Sequence, residues 1–189
     1  GTSVGSTDKI MAVAQRVLAS HRQGNRMVVV LSAMSGETDR LIGLAQAVQP
    51  IPDPRELDML LATGEQVSVA LFAMAVKAAG GEAVSLLGDQ VAIHTDPMHT
   101  RARIDSIDTA CIQGHLNRGR IVTIAGFQGV TDHGDITTLG RGGSDTTAVA
   151  LAAALAADAC EIFTDVEGVY TTDPNICPTA KKIERISYE

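Results

Sequence analysis

Aromatic residues are scarce: three Phe, two Tyr and no Trp in 189 residues, 3% of the chain. This argues against a base-stacking platform for single-stranded nucleic acid, which needs exposed rings. Positive charge is also short, with 15 Lys and Arg against 22 Asp and Glu and a net charge of −7. No basic stripe appears, and no nucleic-acid partner is expected. The three cysteines, Cys111, Cys160 and Cys177, are odd in number and widely spaced. They form neither a disulfide framework nor a zinc knuckle and suit a reducing compartment, so a cytoplasmic location is expected. Cys160 reads as a small hydrophobe opening a buried strand. The histidines, His21, His94, His99, His115 and His133, form no His-Glu-x-x-His pattern, and no protein-built metal site is expected. No stretch approaches the roughly eighteen consecutive apolar residues of a membrane span, so no membrane partner is expected. Gly1-Thr2-Ser3-Val4 has neither signal- nor transit-peptide character.

The chain does have small aliphatic residues, at 45% hydrophobic content, and enough length to bury the core of one domain. Helix-period and strand-period segments alternate. Ser6 or Thr7 caps a helix through about Arg22, with Ile10, Val13, Ala14, Val17 and Leu18 on one face, and Gly24 ends it. Met27 to Leu31 is an apolar β-branched run, as in a strand covered on both faces. Ser35 to Asp39 turns the chain into a helix near Leu41 to Val48. Pro54 opens a long helical region from about Arg55 to Ala79, expected to break or bend near Gly64. Gly80-Gly81 stops it, and Ala83 to Leu87 reads as a strand. Gly88 to Arg103 is irregular, with room for short antiparallel strands. Ser106 to Asn117 reads as a helix, Ile121 to Ala125 as a central strand and Val130 to Thr138 as a polar excursion. A helix over Asp145 to Ala157 and a strand over Cys160 to Thr164 follow. Such alternation implies an α/β fold, a mostly parallel sheet between helical layers, with ligands at the carboxyl ends of its strands.

Thr137-Thr138-Leu139-Gly140-Arg141-Gly142-Gly143-Ser144-Asp145-Thr146-Thr147 runs into the small-residue stretch Ala148 to Ala157. It reads as a glycine loop feeding a helix, whose first N–H groups and dipole attract anions. It lacks the lysine of a P-loop, and Asp145 stands where the last glycine of a dinucleotide fingerprint would be. Alone, it is equally an ordinary strand–loop–helix turn in which Ser144 and Asp145 cap the helix. Other polar loops also follow predicted strands: Ser32 to Asp39, Gly126-Phe127-Gln128-Gly129 and Thr164 to Tyr170. Glu65 lies among Leu60, Leu61, Val67 and Val69 in a helix, and a carboxylate in such surroundings needs a partner.

Six segments in order resemble the aspartate kinase family of the amino-acid kinase superfamily. They are Gly1-Thr2-Ser3-Val4-Gly5, Val30 to Asp39, Leu61-Ala62-Thr63-Gly64-Glu65, Gly126-Phe127-Gln128-Gly129, Gly140 to Asp145, and Phe163 to Pro174. The resemblance implies a three-layer α/β/α sandwich over 1–189, with about 1–140 binding aspartate and about 141–189 starting the nucleotide-binding part. It implies ATP-dependent phosphorylation of the L-aspartate side chain to 4-phospho-L-aspartate, the entry to lysine, threonine and methionine synthesis, with Mg²⁺ held mainly through the ATP phosphates. Carried over by position, Ser32, Thr38, Asp39, Glu65, Phe127, Arg141, Gly142, Gly143 and Ser144 look like the aspartate set, with Arg141 and Asp145 catalytic. Gly1, Thr2, Ser3, Thr164, Asp165, Tyr170, Asp173 and Asn175 look like the nucleotide set.

The family pattern also differs from the chain. The family's Lys-Phe/Tyr-Gly-Gly-Thr-Ser begins upstream of Gly1, and arginine often stands where Asn175 does. Its Gly-Ala-Lys segment and regulatory ACT domains would follow Glu189. A fragment so bounded is expected to have little activity and no lysine or threonine response, whereas the full-length protein is expected to form homo-oligomers or associate through ACT domains. Acetylglutamate, glutamate 5-, carbamate or uridylate kinase and a non-catalytic ligand-binding module are the competing readings; Ser-Gly-Glu-Thr-Asp and Thr-Gly-Glu favour aspartate.

Overall fold

The computed structural model describes residues 2–164, 168, 170–172 and 176–184. Helix α1 (Thr7–Arg22) begins where extended Ser6 accepts a hydrogen bond from the Lys9 N–H on its hydroxyl, satisfying one of the helix's open donors. Ile10, Ala14 and Leu18, one helical turn apart, form its buried stripe. The next helices are α2 (Glu37–Val48), α3 (Pro54–Ala78), α4 (Ala110–Leu116) and α5 (Gly143–Ala154). Strands β1 (Val28–Leu31), β2 (Ala83–Leu86) and β5 (Ile121–Ala125) form a parallel sheet in the order β1-β5-β2.

Central β5 is buried throughout, and its alternating side chains feed two cores. Ile121 and Ala125 join the α1 and α3 side with Ile10, Leu18, Phe72 and Val76. Val122 and Ile124 join the other, where Ile112 of α4 and Leu151 of α5 pack. Helices therefore cover both faces, giving the expected three-layer sandwich. Thr123, in mid-strand, is satisfied by donating toward the carbonyls of Val69 (3.4 Å) and Val84 (3.3 Å).

A second sheet has the order β4-β3-β6-β7, from β3 (Ile93–Thr95), β4 (Ile104–Ile107), β6 (Gln128–Val130) and β7 (Ile136–Thr138). The stretch read as a polar excursion is thus the β6–β7 hairpin, which returns the chain to the glycine loop.

Three expectations need correction. Helix α3 runs unbroken through Gly64, where a Cβ would lie 2.9 Å from the Ala33 Cβ; this glycine permits a close approach rather than a bend. Ser106 belongs to β4, because Ile107 pairs with Ile93; the helix starts only at Ala110, whose N–H donates to the Asp108 side chain. Residues 160–164 form no strand and are exposed, Cys160 included, so burial gives that segment no drive toward a ladder. By length and composition α3 is also apolar enough to cross a membrane, but half of that stretch is buried inside the fold, against α1, α2 and the sheet.

Candidate active site

The carboxyl ends of β1 and β5 lie side by side, joined by the Gly126 N–H donating to the Leu31 carbonyl at 3.0 Å. After β1 the chain runs through Ser32 to Gly36, whose φ of +78° lets it enter α2 without a side-chain cap. A cavity of ≈ 270 Å³ opens here, lined by Thr2, Ser32, Ser35, Thr38, Asp39, Glu65 and the loop backbone. Ligand pockets commonly measure about 300–1,000 Å³, and this one stands at the small end of that range.

Glu65 is 3% exposed and comes from α3. Its Oε1 accepts from the Ala33 N–H at 2.9 Å, whereas its Oε2 is buried without a hydrogen-bond partner among the described residues. Burial pushes its carboxyl up to about 7, partly offset by the Ala33 hydrogen bond. The cavity therefore contains a carboxylate that a cationic ligand would stabilise.

Beside it, the loop after β5 clasps the glycine loop. Phe127, at φ +68°, donates its N–H to Thr147 Oγ1 (3.1 Å), and its carbonyl accepts from the Leu139 N–H (2.8 Å). A Cβ on Gly126 would come within 2.7 Å of Ser144 Oγ, and one on Gly143 within 2.8 Å of Phe127 Cδ2. These approaches explain why glycine occupies both positions. Helix α5 starts at Gly143 with Gly142 (φ +73°) as its N-cap, and no side chain caps it. Ser144 and Asp145 are therefore not caps, which removes that alternative for them. Arg141 is exposed, and neither it nor Asp145 has an ion-pair partner among the described residues.

Ser32, Thr38, Asp39, Glu65 and Thr2 thus share the cavity wall, while Phe127, Gly142, Gly143, Ser144 and Arg141 form the adjoining cluster outside it. Ser3 Oγ donates to the Phe163 carbonyl at 3.2 Å, tying the amino-terminal turn to the residue before Thr164. Arg16 stacks over the Phe163 ring, 4.6 Å from its centroid. Tyr170 bridges antiparallel to Lys182. Gly1, Asp165, Asp173 and Asn175 lie outside the described residues. Among the described residues, no three His, Cys, Asp or Glu side chains gather as a metal set.

Sequence reasoning missed three contributors. Thr147 holds Phe127; Gln128 donates from Nε2 to the Ala62 carbonyl at 3.0 Å; and Asp58 is fully buried. The apolar neighbours of Asp58, Leu57, Met59, Leu60 and Leu61, carried the same signal that singled out Glu65.

The amino acid kinase family model matches residues 1–189. Aspartate kinase of Pseudomonas putida is 58% identical over all of this chain and 46% of its own length. The crystal structure of aspartate kinase from Synechocystis is 52% identical with a TM-score of 0.79, covering 96% of this chain and 30% of that one. Escherichia coli aspartokinase III, solved with aspartate and ADP, is 29% identical with a TM-score of 0.83, covering 97% of this chain and 52% of that one. The chain spans about half the length of the curated relatives it matches. With a family match over its whole length and the same fold in those solved structures, the chain belongs to the amino acid kinase family.

Proposed function

We propose that this chain is the aspartate-binding part, with the start of the nucleotide-binding part, of an aspartate kinase that transfers the ATP γ-phosphoryl group to the side-chain carboxylate of L-aspartate. The observation that carries the reading is Glu65: a buried carboxylate with one oxygen unpaired among the described residues, lining a cavity of ≈ 270 Å³ at the strand ends. An α-ammonium group supplies the missing partner. The relatives support the reading, since they are aspartate kinases and one is solved with aspartate and ADP.

In this reading Ser32, Thr38 and Asp39 complete the polar wall, and Arg141 forks onto a substrate carboxylate. The glycine-loop N–H groups and the start of α5 meet the transferring phosphoryl. Thr2, Ser3, Thr164 and Tyr170, with Gly1, Asp165, Asp173 and Asn175, serve the nucleotide. The oxygen donors of Asp39, Thr38 and Asp145 are of the kind a hard cation accepts. Mg²⁺, held mainly through the ATP phosphates, would supply charge neutralisation there when bound.

The aspartate side chain, reference pKa ≈ 3.9, is already an anion near neutral pH, so Asp145 need not act as a base. A carboxylate oxygen forms the bond to Pγ, the bond from Pγ to the β,γ-bridging oxygen breaks, and ADP leaves with that electron pair. The product is 4-phospho-L-aspartate, entering lysine, threonine and methionine synthesis.

The test is hydroxylamine trapping of the acyl phosphate with the full-length protein, across aspartate, glutamate, N-acetylglutamate and carbamate. Hydroxamate from aspartate alone, falling at least about 100-fold in kcat/KM in Glu65→Gln, is expected. Preference for another acceptor overturns the assignment.

A further inference from the structure

Asp58 is completely buried, and its side-chain hydrogen bonds come from His99, Thr100 and Thr138. Its Oδ1 accepts from Thr138 Oγ1 (2.5 Å) and from the Thr100 N–H (3.1 Å). Its Oδ2 accepts from the same N–H (2.9 Å) and from His99 Nδ1–H (2.8 Å). Thr100 stands at φ +66°, where a β-branched residue is strained and persists only if its surroundings hold it. Its carbonyl lies directly under Gly140, where a Cβ would approach to 3.3 Å. Two residues on, the Ala102 N–H donates to the Thr138 carbonyl at 2.8 Å. One α3 carboxylate thus fixes both the last residue of β7 and the segment beneath the first glycine of the loop.

We propose that Asp58 is a positioning residue for the grip on substrate: through Thr138, Thr100 and His99 it sets the take-off of the glycine loop and hence the aim of Arg141. This rests on the reading of Arg141 given above. A buried carboxylate serving only stability is replaceable by apolar packing. Here it holds a strained residue against the loop, as expected where geometry matters to function. Loosening the loop disturbs the grip on substrate, because a guanidinium fork holds a carboxylate through two parallel hydrogen bonds that both require its aim.

The test uses the full-length protein with Thr138→Val, which keeps the shape and removes the donor, Thr138→Ser, which restores it, and Asp58→Asn. For Thr138→Val and Asp58→Asn we expect KM for aspartate to rise about tenfold with kcat within about threefold. Amide exchange should quicken at Leu139 to Gly143 but not in α1. Thr138→Ser should return both readouts to wild type. A lower melting temperature in Thr138→Val with KM and loop exchange unchanged makes Asp58 purely structural and overturns the proposal. If the wild-type protein does not turn over aspartate, the kinase reading fails, while loop exchange still decides whether Asp58 holds the loop. Should Asp58→Asn not fold, the Thr138 pair decides alone.

Discussion

Asp58 and Glu65 project from one helix, two turns apart, and both are removed from solvent. Asp58 is saturated, with Thr138, Thr100 and His99 on its two oxygens. Glu65 has one oxygen on the Ala33 N–H and, among the described residues, no hydrogen-bond partner on the other. The difference separates scaffold from site. A buried carboxylate with all its partners holds the protein's own segments in place, whereas one left half-paired in a cavity keeps an acceptor for a ligand.

The largest effect should come from breaking the saturated one. Asp58→Ala leaves the buried Thr138 hydroxyl and the half-buried Thr100 N–H and His99 Nδ1–H without their acceptor. Such losses cost about 3–5 kcal/mol. A urea titration checks this by the shift of its midpoint at constant slope. A loss below about 1 kcal/mol would mean that water replaces the carboxylate and that the network is not dry.

The half-paired one should behave oppositely. Burial raises the Glu65 carboxyl from 4.5 to about 7, so between those values the folded protein binds more protons than the unfolded chain. Stability is then unpenalised below 4.5, declines as pH climbs, and bears its full penalty above about 7. That penalty is at most about 3 kcal/mol. Glu65→Gln should flatten the slope, making the variant more stable than wild type at pH 8 and similar near pH 5. Denaturant titrations at the two pH values read the crossing. In wild type, an ammonium partner should drive the proton off. Aspartate binding at pH 6 should therefore release a proton, seen by calorimetry in buffers of different ionisation enthalpy. Uptake, or no exchange, would remove the ammonium from Glu65.

What the sequence disclosed follows the same division. Glu65 was legible because a carboxylate among Leu60, Leu61, Val67 and Val69 has no apolar explanation. Asp58 had the same signature, but its partners arrive from 41, 42 and 80 residues away, on the loop between β3 and β4 and on β7. No local pattern announces them. Strands β1 and β5 were legible because they are apolar runs packed on both faces, β5 buried throughout and β1 half-buried. The ending of β4 at Ile107 was not, since pairing with Ile93 overrides the helical periodicity that follows. Residues 160–164 carried a strand-like pattern with no burial to enforce it.

Gly64 sharpens the boundary between the two carboxylates. It looked like a helix bend and is instead the point where α3 touches the loop bearing Ala33, whose N–H holds Glu65. Gly64→Ala brings a gain in helix propensity of about 1 kcal/mol. Against it stands a Cβ placed 2.9 Å from the Ala33 Cβ, too close for the loop to stay where it is. Overpacking costs about 1–3 kcal/mol, so the net should be a loss near 1 kcal/mol. The informative part is the coupling. If the Ala33–Glu65 bond lengthens, KM for aspartate should rise while the Asp58 network and exchange at the glycine loop stay as in wild type. Equal disturbance at both carboxylates would show that α3 moves as a rigid rod and would blur the distinction.

The smallest effect belongs to a carboxylate that has a partner but keeps its water. Glu37, at the start of α2, accepts from the Arg40 guanidinium at 2.7 and 2.9 Å. The Arg40 hydrogen bonds hold its carboxyl below the ordinary range. A lowered folded-state value means that any stability from the pair is present above the unfolded value of 4.5 and is lost as pH falls through the folded one. Solvent screens the pair, and holding two long side chains together offsets most of the attraction. Arg40→Ala should therefore move the melting midpoint by less than about 1 °C at neutral pH, and the shift should vanish in high salt. A large, salt-independent shift would place Glu37 with Asp58, as part of the scaffold. Good geometry would then suffice without burial, and saturation alone would separate scaffold from site.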